Sequence, residues 1–251
     1  MNIVVLAVLV VVLSILISSA LVGLLRGSRI GTLMQGTGDV EGIYITVIGA
    51  LYAIFIAFMI FVVWTRFDTA ENSVDQEADT LVNLYRLAEE LPQPLQSEMR
   101  QAVVDYAHSM IRDEWPAMAE ERSSAKSQAV VERMWDVVHR MDEAGTDDVI
   151  RDHVLTTISE LTELRRYRLL QSQTNLPGIL YAALFFGGTL TIVLAALFSV
   201  EQFWSHVLKA AVLAALISFM LLVVWVLDHP FQGDVYVQPT AFERSLEIMT
   251  D

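Results

Sequence analysis

The sequence predicts an all-α polytopic membrane protein with four transmembrane helices and a cytoplasmic helical insert between the second and third spans. Hydrophobic residues make up 54% of the 251 residues, more than a soluble domain usually contains. Four stretches are apolar over about 20 residues, the length of a helix that crosses a bilayer. Residues 66–176 hold 12 of the 16 Lys and Arg and 22 of the 30 Asp and Glu, so this region carries −10 of the net charge of −14.

The four predicted spans contain almost no charge. They are Asn2–Leu25, Ile43–Thr65, Leu176–Val200 and Val207–Leu227. Lys209 is the one charged residue within these limits, and it lies near a helix end, where its ammonium can reach the interface. We interpret the first stretch as a span rather than a signal peptide, because its apolar run is too long and no basic residue precedes it.

Four spans place the N-terminus, the insert and the tail on one side of the membrane, and the loops 26–42 and 201–206 on the other. The predicted domains are 1–65 (transmembrane helices 1 and 2), 66–175 (cytoplasmic helical domain), 176–228 (transmembrane helices 3 and 4) and 229–251 (cytoplasmic tail). Basic residues near the span ends favour a cytoplasmic insert by a small margin. They are Arg66, Arg165, Arg166 and Arg168 on the insert side, against Arg26, Arg29 and Lys209. We therefore expect an inner-membrane protein with both termini in the cytoplasm.

The insert is predicted to be helical. Apolar residues recur every three or four positions in four series that start at Val74, Leu95, Val130 and Ile150, which is the spacing of one helix face. LPQP at 91–94 and AGTDD at 144–148 interrupt the pattern. The first insert helix should continue from the second span, and the last should run up to NLPG at 175–178.

The usual signatures of catalysis are absent from the sequence. It has no phosphate-binding Gly-rich loop, no H-E-x-x-H and no G-x-S-x-G, so we expect no enzyme, no catalytic residue and no cofactor. It has no cysteine, which excludes disulfides and thiolate metal sites. The acidic balance argues against nucleic acid as a partner.

Two Asp-x-x-His pairs, Asp105 with His108 and Asp136 with His139, have the spacing found in bundle metal sites. Neither pair lies squarely on an apolar helix face. We interpret them as surface ion pairs and expect no metal.

The second span carries the most informative pattern. Gly49, Ala53 and Ala57 recur every four residues, and small residues in that register let membrane helices pack closely. Ile54 and Phe58 follow on a neighbouring ridge. If identical helices packed through the small face around an axis, these two residues would form apolar rings that can gate ions by dewetting. Ordinary lipid-facing or intra-bundle packing is the alternative.

Several stretches resemble the bestrophin-like domain family of prokaryotic membrane proteins. They touch nearly every segment except the first span, and their order and spacing are more specific than any one of them. They are LYAIFIAFMIFVVW (51–64), QEADTLVNLYRLAEELP (76–92), DYAHSMIRDEWPAM (105–118), ELRRYRLL (163–170) and LDHPFQGDVYVQP (227–239). The resemblance implies the architecture predicted above.

A more distant similarity is to bestrophins, which are pentameric anion channels with the same plan of two spans, a helical insert and two further spans. It covers mainly AFMIFVVWTRF (57–67) and HPFQGD (229–234). The similarity implies self-association into a homo-oligomer, a pentamer, in the lipid bilayer. It also implies that Ile54 and Phe58 are apolar neck residues in a path for anions.

The tail sequence predicts a sharp turn after the fourth span. Asp228 ends the apolar run, Pro230 prevents helical continuation and Gly233 permits a tight turn. Phe231 is expected to be an apolar plug. In bestrophins the similar stretch is followed by acidic residues that bind calcium, and that acidic run is absent here. We therefore expect a metal-free structural latch between the membrane and cytoplasmic domains.

Two functions follow from this sequence. The first is a homo-oligomeric, bestrophin-like anion channel with an apolar neck on the second span. The alternative is a non-conducting membrane scaffold or signalling module whose acidic helical insert binds partner proteins. In the second case Trp115 is either a buried packing residue, which we expect, or an exposed contact.

Overall fold

The computed structural model describes residues 2–26, 38–197 and 202–250, and all regular secondary structure in these residues is helical. The prediction of an all-α fold is confirmed there. The helices are α1 (Ile3–Arg26), α2 (Gly38–Leu87), α3 (Leu95–Ser109), α4 (Trp115–Met118), α5 (Ala125–His139), α6 (Asp148–Gln173), α7 (Gly178–Leu197), α8 (Phe203–Leu227) and α9 (Thr240–Thr250). A 3₁₀ turn follows α2 at Ala88–Glu90, and a π-helical turn joins α3 to α4 at Met110–Glu114.

Within the described residues, four helices are long and apolar enough to cross a membrane: α1, α2, α7 and α8. As predicted, α2 continues from the second span into the insert without a break, over 50 residues. As also predicted, α6 ends just before NLPG and α7 starts at its glycine. The predicted span end at Val200, and residues 27–37 and 201 of the two predicted loops, lie outside the described residues.

The described residues form two compact units, and the first comprises 1–65 and 176–228. Here α1 packs along α8, while α2 packs against α7 and α8. The buried side of α2 carries side chains at spacings of four, three and four, which is one helix face. They are Tyr52, Ile56, Met59 and Val63.

Two glycines of α7 bring it close to α2. A Cβ atom at Gly187 would lie 2.6 Å from a ring carbon of Tyr52, and one at Gly188 would lie 2.8 Å from the Tyr52 hydroxyl oxygen. The Tyr52 hydroxyl donates a hydrogen bond of 3.1 Å to the carbonyl oxygen of Leu184. Close approach through small residues compensates for the missing hydrophobic drive between helices in a bilayer.

The second unit comprises 66–175 and 229–251. The four apolar series predicted for the insert lie in its core, where α3 packs against α5 and α9, and α5 against α6. The break predicted at 91–94 falls between α2 and α3. The break predicted at 144–148 falls between α5 and α6 except for its last residue, Asp148, which begins α6.

The π-helical turn was not predicted, and its position has a local cause. It immediately precedes α4, in which Pro116 is the second residue. A proline inside a helix has no N–H to donate, and its ring clashes with the carbonyl four residues earlier, which here is that of Arg112. A wider turn relieves this clash, and such turns are frequent at functional sites.

Helix α9 was also not among the predicted elements. Its buried side carries Phe242, Ser245 and Met249, at spacings of three and four that indicate one helix face. The tail therefore ends in a helix that packs on the core of the second unit.

Candidate functional site

One side of α2 packs against no other described residue and is an exposed apolar surface. Ile54 and Phe58 are 69% and 60% exposed, and Val47, Leu51 and Phe61 lie on the same side with exposures of 51%, 63% and 65%. We call these five residues the α2 stripe. Their spacings of four and three are those of helices that pack on one another in a heptad repeat. The two predicted neck residues lie within a stripe that no described residue buries.

The three small residues of the second span also do not pack within the described chain. A Cβ atom at Gly49 would meet nothing within 4 Å, and Ala53 and Ala57 are exposed. Among the described glycines, Gly187 and Gly188 of α7 are the two against which a side chain of another helix packs closely. Close packing of Gly49, Ala53 and Ala57 against another copy stays a prediction.

Beyond the α2 stripe the same spacing continues with polar and acidic residues. Asp68, Asn72, Asp75 and Asp79 follow one another at intervals of four, three and four, and all are exposed. Arg244 of α9 donates a hydrogen bond of 3.2 Å to Asp75. One side of α2 thus changes from apolar to acidic along its length.

A buried ion pair joins α2 to α6 in the second unit. The guanidinium of Arg168 donates two hydrogen bonds to the carboxylate of Glu77, over 2.7 and 3.0 Å, and neither side chain is accessible to solvent. The Tyr106 hydroxyl of α3 donates to the same carboxylate over 2.5 Å. Bidentate pairing with a further hydrogen bond is the geometry that offsets the desolvation of two buried charges.

The guanidinium of Arg168 and the phenol of Tyr106 both keep their protons in this cluster. Burial, together with the negative charge of Glu77, raises the pKa of Tyr106 well above its ordinary value. Burial by itself lowers the pKa of Arg168, but the charge and hydrogen bonds of Glu77 outweigh it and raise that pKa above its ordinary value. The cluster therefore holds a neutral phenol beside a charged arginine.

A second buried pair lies one turn away along α6. Arg165 donates to Glu114 over 3.0 Å and to Gln128 of α5 over 2.6 Å. The other carboxylate oxygen of Glu114 accepts the backbone N–H of Ser124 over 3.0 Å. Glu114 is the last residue of the π-helical turn, so this turn places a carboxylate where Arg165 can reach it.

Trp115 lies in the core of the second unit, as expected of a buried packing residue. It is 6% exposed, and its ring centroid is 5.0 Å from the guanidinium carbon of Arg168, a cation–π distance. The sulfur atoms of Met110 and Met118 lie 3.0 and 2.9 Å from nitrogens of the same guanidinium. The indole N–H donates a hydrogen bond of 2.9 Å to the carbonyl of Val237 in the tail.

The predicted latch residues make two separate sets of contacts, one in each unit. Asp228 ends α8 and is fully buried. Its carboxylate accepts the backbone N–H of Leu176, over 3.1 and 2.9 Å to its two oxygens, and the hydroxyl of Tyr181 over 2.8 Å. Asp228 therefore fixes the start of α7 to the end of α8 in the first unit.

Phe231 is buried in the core of the second unit. It is 3% exposed, and its ring lies edge-on to Trp115 at a centroid distance of 6.2 Å. The carbonyl oxygen of Pro230 accepts a hydrogen bond of 2.7 Å from the backbone N–H of Val237, which closes the loop between them. Gly233 has φ +78°, the left-handed region that glycine adopts without strain.

The sequence matches the model of one protein family over most of its length. The model of the Bestrophin-like domain matches residues 4–242, nearly the whole chain. The chain belongs to the Bestrophin-like domain family. No curated protein matches this bestrophin-like chain.

Solved structures of a bacterial bestrophin homolog from Klebsiella pneumoniae have the same fold. One, of a variant with a single mutation, has a TM-score of 0.77 at 16% identity and covers 96% of this chain and 98% of its own. Another has a TM-score of 0.76 at 15% identity and covers 95% and 98%. Together with the four apolar helices, the family makes this bestrophin-like chain a multi-pass membrane protein.

The structure corrects the use of two arginines as topology signals. Arg165 and Arg168 were counted among the basic residues near the span ends. They are 5% and 0% exposed and are engaged with buried glutamates. The basic residues near the spans are therefore a weaker indication of which side the insert occupies.

Sequence reasoning missed the buried pairs of this bestrophin-like chain, although a signal was present. Arg165 and Arg168 continue the buried series of α6 after Ile158 and Leu161, at spacings of three and four, and Glu77 interrupts the buried series of α2. A charge in register with a buried helix face indicates a buried partner.

The Asp-x-x-His pairs form no metal centre in the described residues, where no group of three or more metal-ligating side chains occurs. Asp105 instead accepts a hydrogen bond of 2.9 Å from Arg133 of α5.

We predict that Arg168→Met destabilises the protein by about 3–5 kcal/mol, because it leaves Glu77 charged and buried without its partner. Thermal unfolding of the purified protein in detergent measures the loss. The matched control is Arg166→Met, two residues away, since the Arg166 side chain is 74% exposed and its loss should cost less than about 0.5 kcal/mol.

Adding Glu77→Leu to Arg168→Met should recover much of the lost stability, because it removes the uncompensated charge. Equal melting temperatures for the Arg166 and Arg168 variants would contradict this account of the cluster.

Proposed function

We propose that this chain assembles into a homo-oligomeric ion channel in the inner membrane, with its insert and both termini in the cytoplasm. The observation that carries the proposal is the α2 stripe, in which Ile54 and Phe58 are more than half exposed although the opposite side of the same helix is buried. Membership of the Bestrophin-like domain family supports it.

In the proposed assembly, copies of α2 surround an axis and the stripe faces inward. Ile54 and Phe58 then form stacked apolar rings. Water leaves a narrow apolar ring readily, and an ion that has lost its hydration cannot cross it, so the rings act as a gate. We propose that Gly49, Ala53 and Ala57 allow the copies of α2 to approach closely.

We propose anions as the conducted ions, on the resemblance to bestrophins and because the predicted spans carry no acidic residue. The exposed Asp68, Asp75 and Asp79 further along α2 favour cations instead, since acidic rings attract cations. The reversal potential in a salt gradient distinguishes the two.

We predict that Phe58→Ala increases the current through the reconstituted protein several-fold. The smaller side chain widens the apolar ring and lets water enter it. Planar-bilayer recording of purified wild type and variant, in a gradient of potassium chloride, measures both the current and its reversal potential.

Phe219→Ala is the matched control, because Phe219 is 45% exposed but lies on α8. It should leave the current unchanged. An unaltered current in Phe58→Ala, or an oligomer with no axis lined by α2, would exclude Phe58 from the neck.

We predict that Ala53→Leu weakens the oligomer, because the larger side chain separates helices that pack through small residues. Light scattering of the purified protein in detergent should show a smaller mass at low protein concentration. Ala182→Leu is the control, since Ala182 is an exposed alanine of α7. The same oligomer mass in all three proteins would mean that the small-residue face is not an interface.

We propose that Asp228, Pro230, Phe231 and Gly233 form a metal-free latch between the membrane and cytoplasmic domains. Asp228 is anchored in one unit and Phe231 in the other, only three residues apart in the chain. Neutral packing and backbone hydrogen bonds account for the second anchor. A calcium site needs several oxygen ligands, and Val235, Tyr236 and Val237 follow Asp234.

Phe231→Ala should therefore lower the stability by about 3–5 kcal/mol, the usual effect of deleting a buried phenylalanine, and to the same extent in calcium and in EDTA. Melting curves in both buffers measure this. A rise in the wild-type melting temperature with calcium that Asp234→Asn abolishes would show that the latch binds metal.

A non-conducting scaffold or signalling module is the second candidate, favoured by the net charge of −10 on residues 66–176. Burial of Trp115 removes one contact that a partner could have used. Ion flux equal to that of empty liposomes, with a specific partner recovered by affinity purification, would support this function over the channel.

A further inference from the structure

An apolar cavity of about 370 Å³ lies between α1, α7 and α8 in the first unit. Most of its wall is aliphatic or aromatic and comes from all three helices. These residues are Leu6, Val10, Leu184, Phe185, Leu221 and Leu222. No charged side chain lines the cavity, so it suits a neutral apolar occupant and excludes water.

One end of the cavity has polar groups. Tyr181 and Trp225 line it; the Tyr181 hydroxyl donates to Asp228, and Trp225 is 48% exposed. Both residues lie within one turn of a helix end, Tyr181 near the start of α7 and Trp225 near the end of α8. Aromatic residues with polar tips mark the membrane–water interface. The cavity therefore extends from an interfacial rim into the hydrocarbon region.

The cavity is short. Its α8 wall runs from Ser218 to Trp225, about 10 Å at 1.5 Å per residue. Its nine lining residues are far fewer than the roughly 20–30 per side of a stable protein interface. The cavity alone therefore offers a second copy of the chain too little contact for stable association.

We propose that this cavity binds an acyl chain of a membrane phospholipid, with the head group at the Trp225 rim. The acyl chain enters a partly open apolar space, and it gains dispersion contacts with the lining residues that an unfilled space lacks. The proposal does not depend on ion conduction.

A phosphatidylcholine with brominated acyl chains tests this, because bromine quenches tryptophan fluorescence on contact. The lipid is titrated into the full-length protein in detergent micelles. The Trp225 signal is the difference between wild type and Trp225→Phe, and the Trp204 signal is obtained in the same way from Trp204→Phe. Trp204 is 79% exposed near the other end of α8 and reports non-specific lipid contact.

We expect quenching of Trp225 to saturate at a lipid fraction about tenfold below that for Trp204, which is a preference of about 1.4 kcal/mol. Ser218→Phe and, independently, Leu6→Phe fill the cavity and should remove this difference. Leu216→Phe should not, because Leu216 is 54% exposed and is not a lining residue.

If quenching of Trp225 and of Trp204 depended equally on the lipid fraction in the wild type, the proposal would be overturned, whatever the variants do. So would folded filling variants that still show the difference. A changed oligomer mass in Ser218→Phe, measured by light scattering, would instead assign the cavity to a neighbouring subunit. A loss of ion current with the lipid preference intact would bear only on the channel.

Discussion

The structure depends on one constraint, that α2 is a single helix of 50 residues whose two halves meet different surroundings. Its first half has an apolar buried side in the first unit, and its second half has the buried carboxylate of Glu77 in the second. Side chains follow one another around a helix with a period of 3.6 residues, so the direction of the buried side of α2 determines the direction of its opposite side. The exposed side of the apolar half is therefore fixed as soon as the packing of Tyr52 and its neighbours is fixed.

The buried charges select one alignment of the helices in the second unit. Replacing a buried ion pair with apolar residues often costs little stability, so the pairs are not explained by stability alone. Glu77 and Arg168 meet only when α2 and α6 are in one register, and Tyr106 adds α3 to the same condition. Glu114 and Arg165 likewise meet only when the π-helical turn and α6 are in one register. Aromatic and methionine contacts around Arg168 fill the remaining space with polarisable groups.

Much of the fold could be predicted from the sequence because its signals are periodic and local. The apolar lengths, the stripes of the insert and the breaks at LPQP and NLPG each act within a few residues. The partner of Arg168 could not be predicted, because Glu77 is 91 residues away and no local pattern links them. The π-helical turn depends on how Pro116 is accommodated, and the glycine pair of α7 acts through a ring on another helix. Ile54 and Phe58 could be placed on a helix face, but the oligomer that would cover them involves other copies.

The ring of Tyr52 occupies the space in which Cβ atoms of Gly187 and Gly188 would otherwise lie. This contact works as a rotational stop. Turning α2 about its own axis would drive the ring against the α7 backbone or pull it away from the Leu184 carbonyl. The direction in which Ile54 and Phe58 point is therefore tied to α7. In the proposed channel, a change in neck diameter would have to come from tilting or bending of α2 and α7 together rather than from α2 rotating alone.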